Sequence, residues 1–268
     1  MSQFQSATVL ITGAAGGFGQ ELTRQLLAKG SRLILTDHHT ANLSTKVADL
    51  QKTLGTYSGE VIACLDVDLA SATGCETLYA ATRELDRAPD ILINNAGMAL
   101  IGKMLDIPNQ GWEQMMQINL LTPMRLSNRF AADMVNRGQG HIVNISSLAG
   151  WISPPGLTAY AASKFGLRGF SDGLRQELAP YNVKVTTVYP FFSRTPLLQS
   201  PRFGTYDNQA ASLPPALTTD PAKVMARTIR AVEGNRSEVF PDFFAWGGHY
   251  LQRYFPLSLR WLGATIPN

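Results

Sequence analysis

The stretch ATVLITGAAGGFGQELTRQLLAKG, residues 7 to 30, decides the fold. Its first six residues are an apolar run with β-branched members. Its second half repeats Leu22, Leu26 and Leu27 on one helical face and stops at Gly30, a residue that ends helices readily. Between them lie Thr12, Gly13, Gly17, Phe18 and Gly19. Glycines at a strand-to-helix turn permit a tight bend, let the backbone approach a pyrophosphate and bring helix against strand. The helix N-terminus adds unpaired N–H groups and a positive dipole end. Such a turn indicates a dinucleotide site when a second strand follows the helix, and RLILTD (32 to 37) supplies it.

The same alternation continues outward. EVIACLD (60 to 66), DILIN (90 to 94), HIVNIS (141 to 146) and VKVTTVYP (183 to 190) are short apolar runs separated by helix-period segments. Repeated strand-helix units predict an α/β fold: a single doubly wound, Rossmann-like domain over residues 1 to 268, its parallel sheet flanked by helices on both faces. One long irregular segment, about 190 to 218, carries Pro190, Pro196, Pro201, Pro214 and Pro215 and is expected beside the active site as a substrate loop.

Asp37 ends the second run, 18 residues past Gly19, near the spacing at which a carboxylate receives the adenosine ribose hydroxyls of NAD. A 2′-phosphate would meet its negative charge. No Arg or Lys stands in the glycine turn or directly after Asp37, although His38 is a partial exception. NAD(H) is therefore expected in preference to NADP(H), the alternative for Asp37 being a cap on the next helix. The tandem His38-His39 has no ligand-like spacing around it, and no metal site is expected.

Tyr160 and Lys164 lie four apart in a helical segment, hence on one face about a turn apart. A phenol with a reference pKa of ~10 is a poor base, and a nearby ammonium together with an oxidised nicotinamide is expected to lower it. Ser147, just beyond HIVNIS, falls at the sheet edge where ligands of open α/β folds bind, and its hydroxyl is placed to hold a carbonyl oxygen.

With these residues assembled, the chain resembles the short-chain dehydrogenase/reductase family from about residue 7 to about 190. The resemblance rests on the TGxxxGxG turn, Asp37, Asp66-Val67, Asn94-Asn95-Ala96-Gly97, Asn119, Ser147 and the YxxxK of Tyr160 and Lys164, all in order. It implies that Asp66 and Val67 hold the adenine ring. Asn95, Ala96 and Gly97 would line the cofactor beside the adenosine ribose, with Asn94 more structural. It further implies a helix kinked at Asn119 that orders a proton-relay water, a nicotinamide ribose bound by Lys164, and catalysis by Asn119, Ser147, Tyr160 and Lys164. Ser147 rather than Ser146 matches the catalytic serine, standing 13 residues before the tyrosine. Dimers or tetramers are implied as well, through the helices after Asn109 and before Pro180.

One position departs from the family. Where PGxxxT follows the sixth strand, this chain has Pro190-Phe191-Phe192-Ser193-Arg194-Thr195. Pro190 and Thr195 match and imply a retained carboxamide contact, while Phe191 replaces the glycine and narrows the expected pocket. A C-terminal extension, about 240 to 268, repeats Trp246, Tyr250 and Tyr254 on one helix face ending near Pro256. That stripe is expected mainly to pack on the protein's own core or a subunit contact, with a substrate-pocket wall or a membrane surface as alternatives.

Composition sets outer bounds. A net charge of +3 without a basic cluster gives no nucleic-acid surface. Cys64 and Cys75 form no paired motif, the N-terminus lacks a basic signal region, and no run approaches a spanning length, which together suit a cytoplasmic protein without a transmembrane span. The expected activity is hydride exchange between NAD(H) and a hydrophobic alcohol or ketone. Its rivals are a catalytically idle cofactor-binding scaffold and a membrane-surface protein of the same fold.

Overall fold

A computed structural model describes residues 3–38, 40–85, 87–206 and 214–255. His39, residues 207–213 of the substrate loop and residues 256–268 of the aromatic extension lie outside the described residues. Seven strands form one sheet: β1 (Thr8–Thr12), β2 (Arg32–Asp37), β3 (Glu60–Asp66), β4 (Ile91–Asn94), β5 (Gly140–Ile145), β6 (Val183–Val188) and β7 (Glu238–Val239). All pairings are parallel, in the order β3-β2-β1-β4-β5-β6-β7. Strand order reverses beside β1, so the crevice beyond the carboxyl ends of β1 and β4 is the place where this architecture binds ligands.

The central strands β1, β2, β4, β5 and β6 are buried on both faces, as covered parallel sheets require, while the edge strand β3 is only partly covered. Val9, Ile11, Leu33 and Leu35 point into a core roofed by α1 (Gly17–Ala28), α2 (Thr40–Leu54) and α7 (Pro221–Glu233). Leu10, Ile34, Leu92 and Ile142 point the other way, toward α3 (Ala72–Arg83), α5 (Thr122–Arg137) and α6 (Thr158–Leu178). Leu22, Leu26 and Leu27 are fully buried, as the leucine spacing predicted. Truncating Leu26 to Ala in such a site costs about 2 to 5 kcal/mol.

Two local features position the site. A helix α4 (Asn109–Met116) runs into α5 through a π turn over Gln117–Leu121, which bulges the helix and turns Asn119 inward to full burial. After β6 the chain forms the irregular segment, in which Arg194 N–H bonds to Thr219 O and Ile101 N–H to Pro201 O. β7, only two residues long, was not anticipated from the sequence, because a run so short carries no periodicity.

A last helix, α8 (Phe243–Tyr254), ends before Pro256 as its spacing predicted. Of the two settings expected for its aromatics, the protein's own core and a subunit contact, the first is corrected: Trp246 and Tyr254 are 55% and 58% exposed on the single chain. The residues directed inward are Ala245, Gly248 and His249. A Cβ on Gly248 would stand 2.8 Å from Leu148 Cδ2, and the His249 ring lies 4.1 Å from those of Trp151 and Phe240.

Candidate active site

The glycine turn joins β1 to α1 at the switch point. Gly13 adopts φ +66° with its Cα face against Ala96, where a Cβ would come within 2.8 Å of the Ala96 Cα. Gly19 sits so close to the turn backbone that a Cβ would overlap Gly13 O and Ala14. Both must be glycine for the turn to close. The α1 N-terminus has Gly16 as its N-cap, with no side-chain hydrogen bond and no acidic residue in the first turn. Its dipole and N–H groups therefore remain directed at the crevice, which suits an anionic pyrophosphate. Phe18, next in the turn, packs partly buried against the core below α1.

Thr12 and Asn95 hold this turn to β4. The Asn95 and Ala96 amides both donate to Thr12 Oγ1 at 3.0 Å, and the Asn95 Nδ2 donates to Thr12 O at 2.9 Å and Gly13 O at 3.0 Å. The Asn95 amide group is thus engaged by the turn backbone, and what this position presents to the crevice is mainly main chain. Asn94, buried below, donates to Asn144 Oδ1 at 2.8 Å, in keeping with its structural reading.

At the far side of the turn, Asp37 Oδ2 accepts the Ala15 N–H at 2.9 Å and Oδ1 accepts the His38 N–H at 2.8 Å, with the His38 ring at 2.7 Å. Asp66 lies opposite Asp37 in the β2–β3 register, and Val67, buried, donates its N–H to Asp37 O. Two carboxylates therefore lie side by side at the carboxyl ends of β2 and β3. Sequence reading overlooked a cation there: Lys46, on α2, donates through Nζ to Ala15 O at 2.9 Å, and Gln20 joins it at 2.7 Å. Nothing in the eight residues between Asp37 and Lys46 signals that contact, which tertiary packing of α2 on the turn creates.

At the other end, Ser147, Tyr160, Lys164 and Asn119 come together from three elements. Ser147 ends the β5 excursion and caps a 3-10 turn, its Oγ accepting the Ala149 N–H at 3.1 Å. The Ser147 hydroxyl lies close enough to the Tyr160 phenol to draw its pKa down. Tyr160 occupies the first turn of α6, and Lys164 follows one turn later with Nζ 5.7 Å from the tyrosine ring centre. Lys164 Nζ donates to Ile145 O at 3.0 Å. Asn119 accepts the Met98 N–H and donates to Met98 O, each at 2.9 Å, and also donates to Ser163 Oγ at 3.1 Å. Gly97 lies between: a Cβ there would stand 3.3 Å from Asn119 Oδ1 and 3.7 Å from Lys164 Nζ, so its absence leaves room along those polar atoms. Ser146 is buried elsewhere, donating to Lys164 O at 3.1 Å.

The expectation that the lysine lowers the tyrosine's pKa is corrected for the chain by itself. Burial pushes Tyr160 up to about 12, against the smaller downward pull of the Ser147 hydrogen bond. Burial also pulls Lys164 down to about 8, so its ammonium gives up a proton readily. Desolvation wins because both groups are within a few per cent of full burial, at 8% and 5% exposed.

The segment after β6 closes the site from above. Pro190 O accepts the Leu148 N–H at 2.9 Å, and a Cβ on Gly17 would come within 2.7 Å of Thr195 Cβ, so Thr195 lies directly over the glycine turn. Phe191, in place of glycine, donates its N–H to Asp242 Oδ2 at 3.0 Å and packs its ring 5.1 Å from that of Phe244. Asp242 was not singled out in the sequence; its position three residues before Ala245, whose N–H it caps at 2.8 Å, is an N-cap signal. The glycine turn, the Gly97 gap and the uncapped α1 terminus are together a fit for a nicotinamide dinucleotide.

Comparison with known proteins agrees. The family described as short chain dehydrogenase matches residues 7–203. Dehydrogenase/reductase SDR family member 7B of Xenopus tropicalis is 32% identical over 247 residues, covering 88% of this chain and 77% of that protein. The 3-ketodihydrosphingosine reductase of Bos taurus is 31% identical over 85% of this chain and 69% of its own length. Among solved structures, a short-chain dehydrogenase from Sphingobium yanoikuyae in complex with NADPH superposes with a TM-score of 0.78 at 26% identity, covering 98% and 97% of the two chains. A Burkholderia phymatum member in complex with NAD shares the fold with a TM-score of 0.82 at 22% identity, covering 97% of each. The chain belongs to the short-chain dehydrogenase/reductase family. It is an oxidoreductase that acts on CH–OH groups with a nicotinamide cofactor.

Proposed function

We propose that the protein exchanges hydride between NAD(H) and a hydrophobic secondary alcohol or ketone, with Tyr160 as the proton-transfer group. The observation that carries this reading is the placement of Tyr160 between the Ser147 hydroxyl and Lys164, whose Nζ lies 5.7 Å from its ring centre, at the carboxyl end of β5. The nicotinamide supplies or accepts the hydride. Ser147 holds the carbonyl oxygen, and Tyr160 delivers its phenolic proton to that oxygen in reduction or removes it in oxidation. Lys164, with its pKa drawn toward neutrality, binds the ribose hydroxyls and stabilises the tyrosinate. Asn119 positions the Met98 backbone and α6 through Ser163 rather than touching substrate.

Preference for NAD(H) follows from Asp37, held at the turn with Asp66 beside it, where a 2′-phosphate would be repelled. An apolar substrate is favoured by the wall of Phe191, Phe192 and Phe244. The two cysteines are unpaired, consistent with a reducing cytoplasm. Leu121, Met124 and Phe165 stand 38%, 36% and 40% exposed on or beside α5 and α6, which supports a symmetric homo-oligomer joined there.

An absorbance screen of NADH formation and consumption over linear, cyclic and aryl ketones and their alcohols tests the assignment. Turnover of apolar ketones with NADH is expected. Activity confined to polyols or sugars, or none with any carbonyl, would overturn it.

A further inference from the structure

The outer side of α8 is an aromatic ribbon directed away from the protein. Trp246 stacks on Tyr250 with ring centres 5.6 Å apart, and the Tyr254 ring lies tilted 4.8 Å from that of Tyr250. Phe243 and Leu251 flank them, 76% and 41% exposed. At about 100° per residue the five side chains span an arc of about 140°. The opposite side is anchored firmly: Ala245 and Gly248 allow close approach to the turn at Leu148, and His249 is wedged between Trp151 and Phe240. Asp242 adds a second anchor, capping α8 with one oxygen and holding Phe191 with the other. A helix fixed this way keeps its apolar side turned outward, and an exposed apolar patch of this kind marks an interaction surface.

Charge indicates what covers it. From Phe243 to Asn268 the chain has no Asp or Glu, while Arg253 and Arg260 are cationic. In an isologous contact between two copies, this stretch would bring cations to the interface with no carboxylate of its own to pair them. The protein also exposes a separate apolar set at Leu121, Met124 and Phe165 for subunit contact. Tryptophan and tyrosine beside arginine, without carboxylates, is instead the composition of a helix lying at an anionic lipid boundary. Among the described residues no helix is long and apolar enough to cross a membrane, so the contact is peripheral.

We propose that α8 docks this protein on anionic phospholipid surfaces, its aromatic ribbon in the headgroup region and Arg253 at the rim. Docking sets the Phe191–Phe192 segment beside the lipid, where apolar ketones concentrate. That consequence rests on the reaction proposed above; the docking does not.

Flotation of the NADH-loaded full chain with vesicles tests it, comparing phosphatidylcholine alone with phosphatidylcholine plus phosphatidylglycerol, at low and high salt. Binding to the anionic vesicles, weakened by salt, is expected. The combined variant Trp246→Ser, Tyr250→Ser, Tyr254→Ser is expected to bind at least about tenfold more weakly while still binding NADH. Arg253→Glu, which leaves the ribbon intact, is expected to lose the preference for anionic vesicles and serves if the triple variant does not fold. The proposal is overturned if the parent chain stays with the unbound fraction at every composition, or if both variants float like the parent. It is equally overturned if light scattering shows that the triple variant falls to a smaller oligomer, since the ribbon would then join two copies. None of these readouts depends on turnover, so they are distinct from a failure of the substrate reading.

Discussion

The carboxylate of Asp37 accepts the backbone N–H of Ala15 at 2.9 Å, binding the end of β2 to the glycine turn between β1 and α1. This hydrogen bond fixes a negative charge beside the glycine turn, with Asp66 next to it in register, where the proposed reading puts the adenosine ribose. NADH is therefore expected to bind at least about tenfold more tightly than NADPH, a difference of about 1.4 kcal/mol. Asp37→Ala should weaken NADH binding and narrow the gap. Fluorescence titration of both cofactors checks this, and NADPH binding as tight as NADH would show that Lys46 or His38 outweighs the carboxylates.

Lys164 is pulled to about 8 by burial, and in the reaction proposed above its charge acts together with the oxidised nicotinamide to bring the Tyr160 proton into reach. Lys164→Met removes both that charge and a donor to the ribose, so NADH affinity and turnover should fall together. With the cation gone, the tyrosine's pKa stays high, and alcohol oxidation should level off at a more alkaline pH than in the parent. A pH–rate profile of the variant with an unchanged plateau pH would contradict this role.

The fold was legible because the strands alternate with leucine-spaced helices, and the first six runs became β1 to β6 with ends shifted by at most two residues. The site was legible because its residues sit at element ends, where spacing is rigid: Tyr160 and Lys164 one helical turn apart, and Thr12 to Gly19 in one turn. What was hidden depended on packing between distant segments. Lys46 reaches Ala15 only because α2 lies on the turn, and Asp242 meets Phe191 only because α8 returns to β6. The tyrosine's upward shift was missed for a like reason, since desolvation depends on burial that no local spacing reports.

His141, buried in β5, has its pKa lowered to about 4 by burial, with Lys184 adding to the effect. Thr186 donates its hydroxyl to Arg236 O at 2.6 Å, so at 2.8 Å it accepts the imidazole Nε2–H and the ring is neutral in the fold. The unfolded chain takes up a proton near pH 6.5 that the folded chain refuses until about 4. Stability contributed by the neutral ring is thus full above 6.5 and lost as pH falls toward 4, by about 2 kcal/mol at pH ~5. Urea unfolding should show a shallower acid slope in His141→Gln than in the parent. Equal slopes would mean that His141 does not titrate this way.

Ser147 and Ser146 are neighbours with different partners. Ser147→Ala removes the hydroxyl beside the Tyr160 phenol and should lower kcat by about 10² or more while leaving NADH binding unchanged. Ser146→Ala removes only a hydrogen bond to Lys164 O, costing about 1 kcal/mol of stability with turnover retained. Steady-state kinetics of the pair, with Tm measured alongside, separates them. The reverse order of activity loss would move the substrate oxygen to Ser146.

Replacing Tyr160 by Phe removes one oxygen from a ring that is 8% exposed and leaves its packing in place. General acid–base participation contributes about 10² to 10⁴ in rate, and the phenol also holds the carbonyl oxygen, so kcat with a ketone the parent reduces should fall by about 10³ or more. NADH binding by fluorescence should stay within about twofold of the parent, which shows that the variant is folded and loaded. Turnover near the parental rate in that NADH-loaded variant would mean that the proton comes from another group and that Tyr160 is not the centre of the reaction.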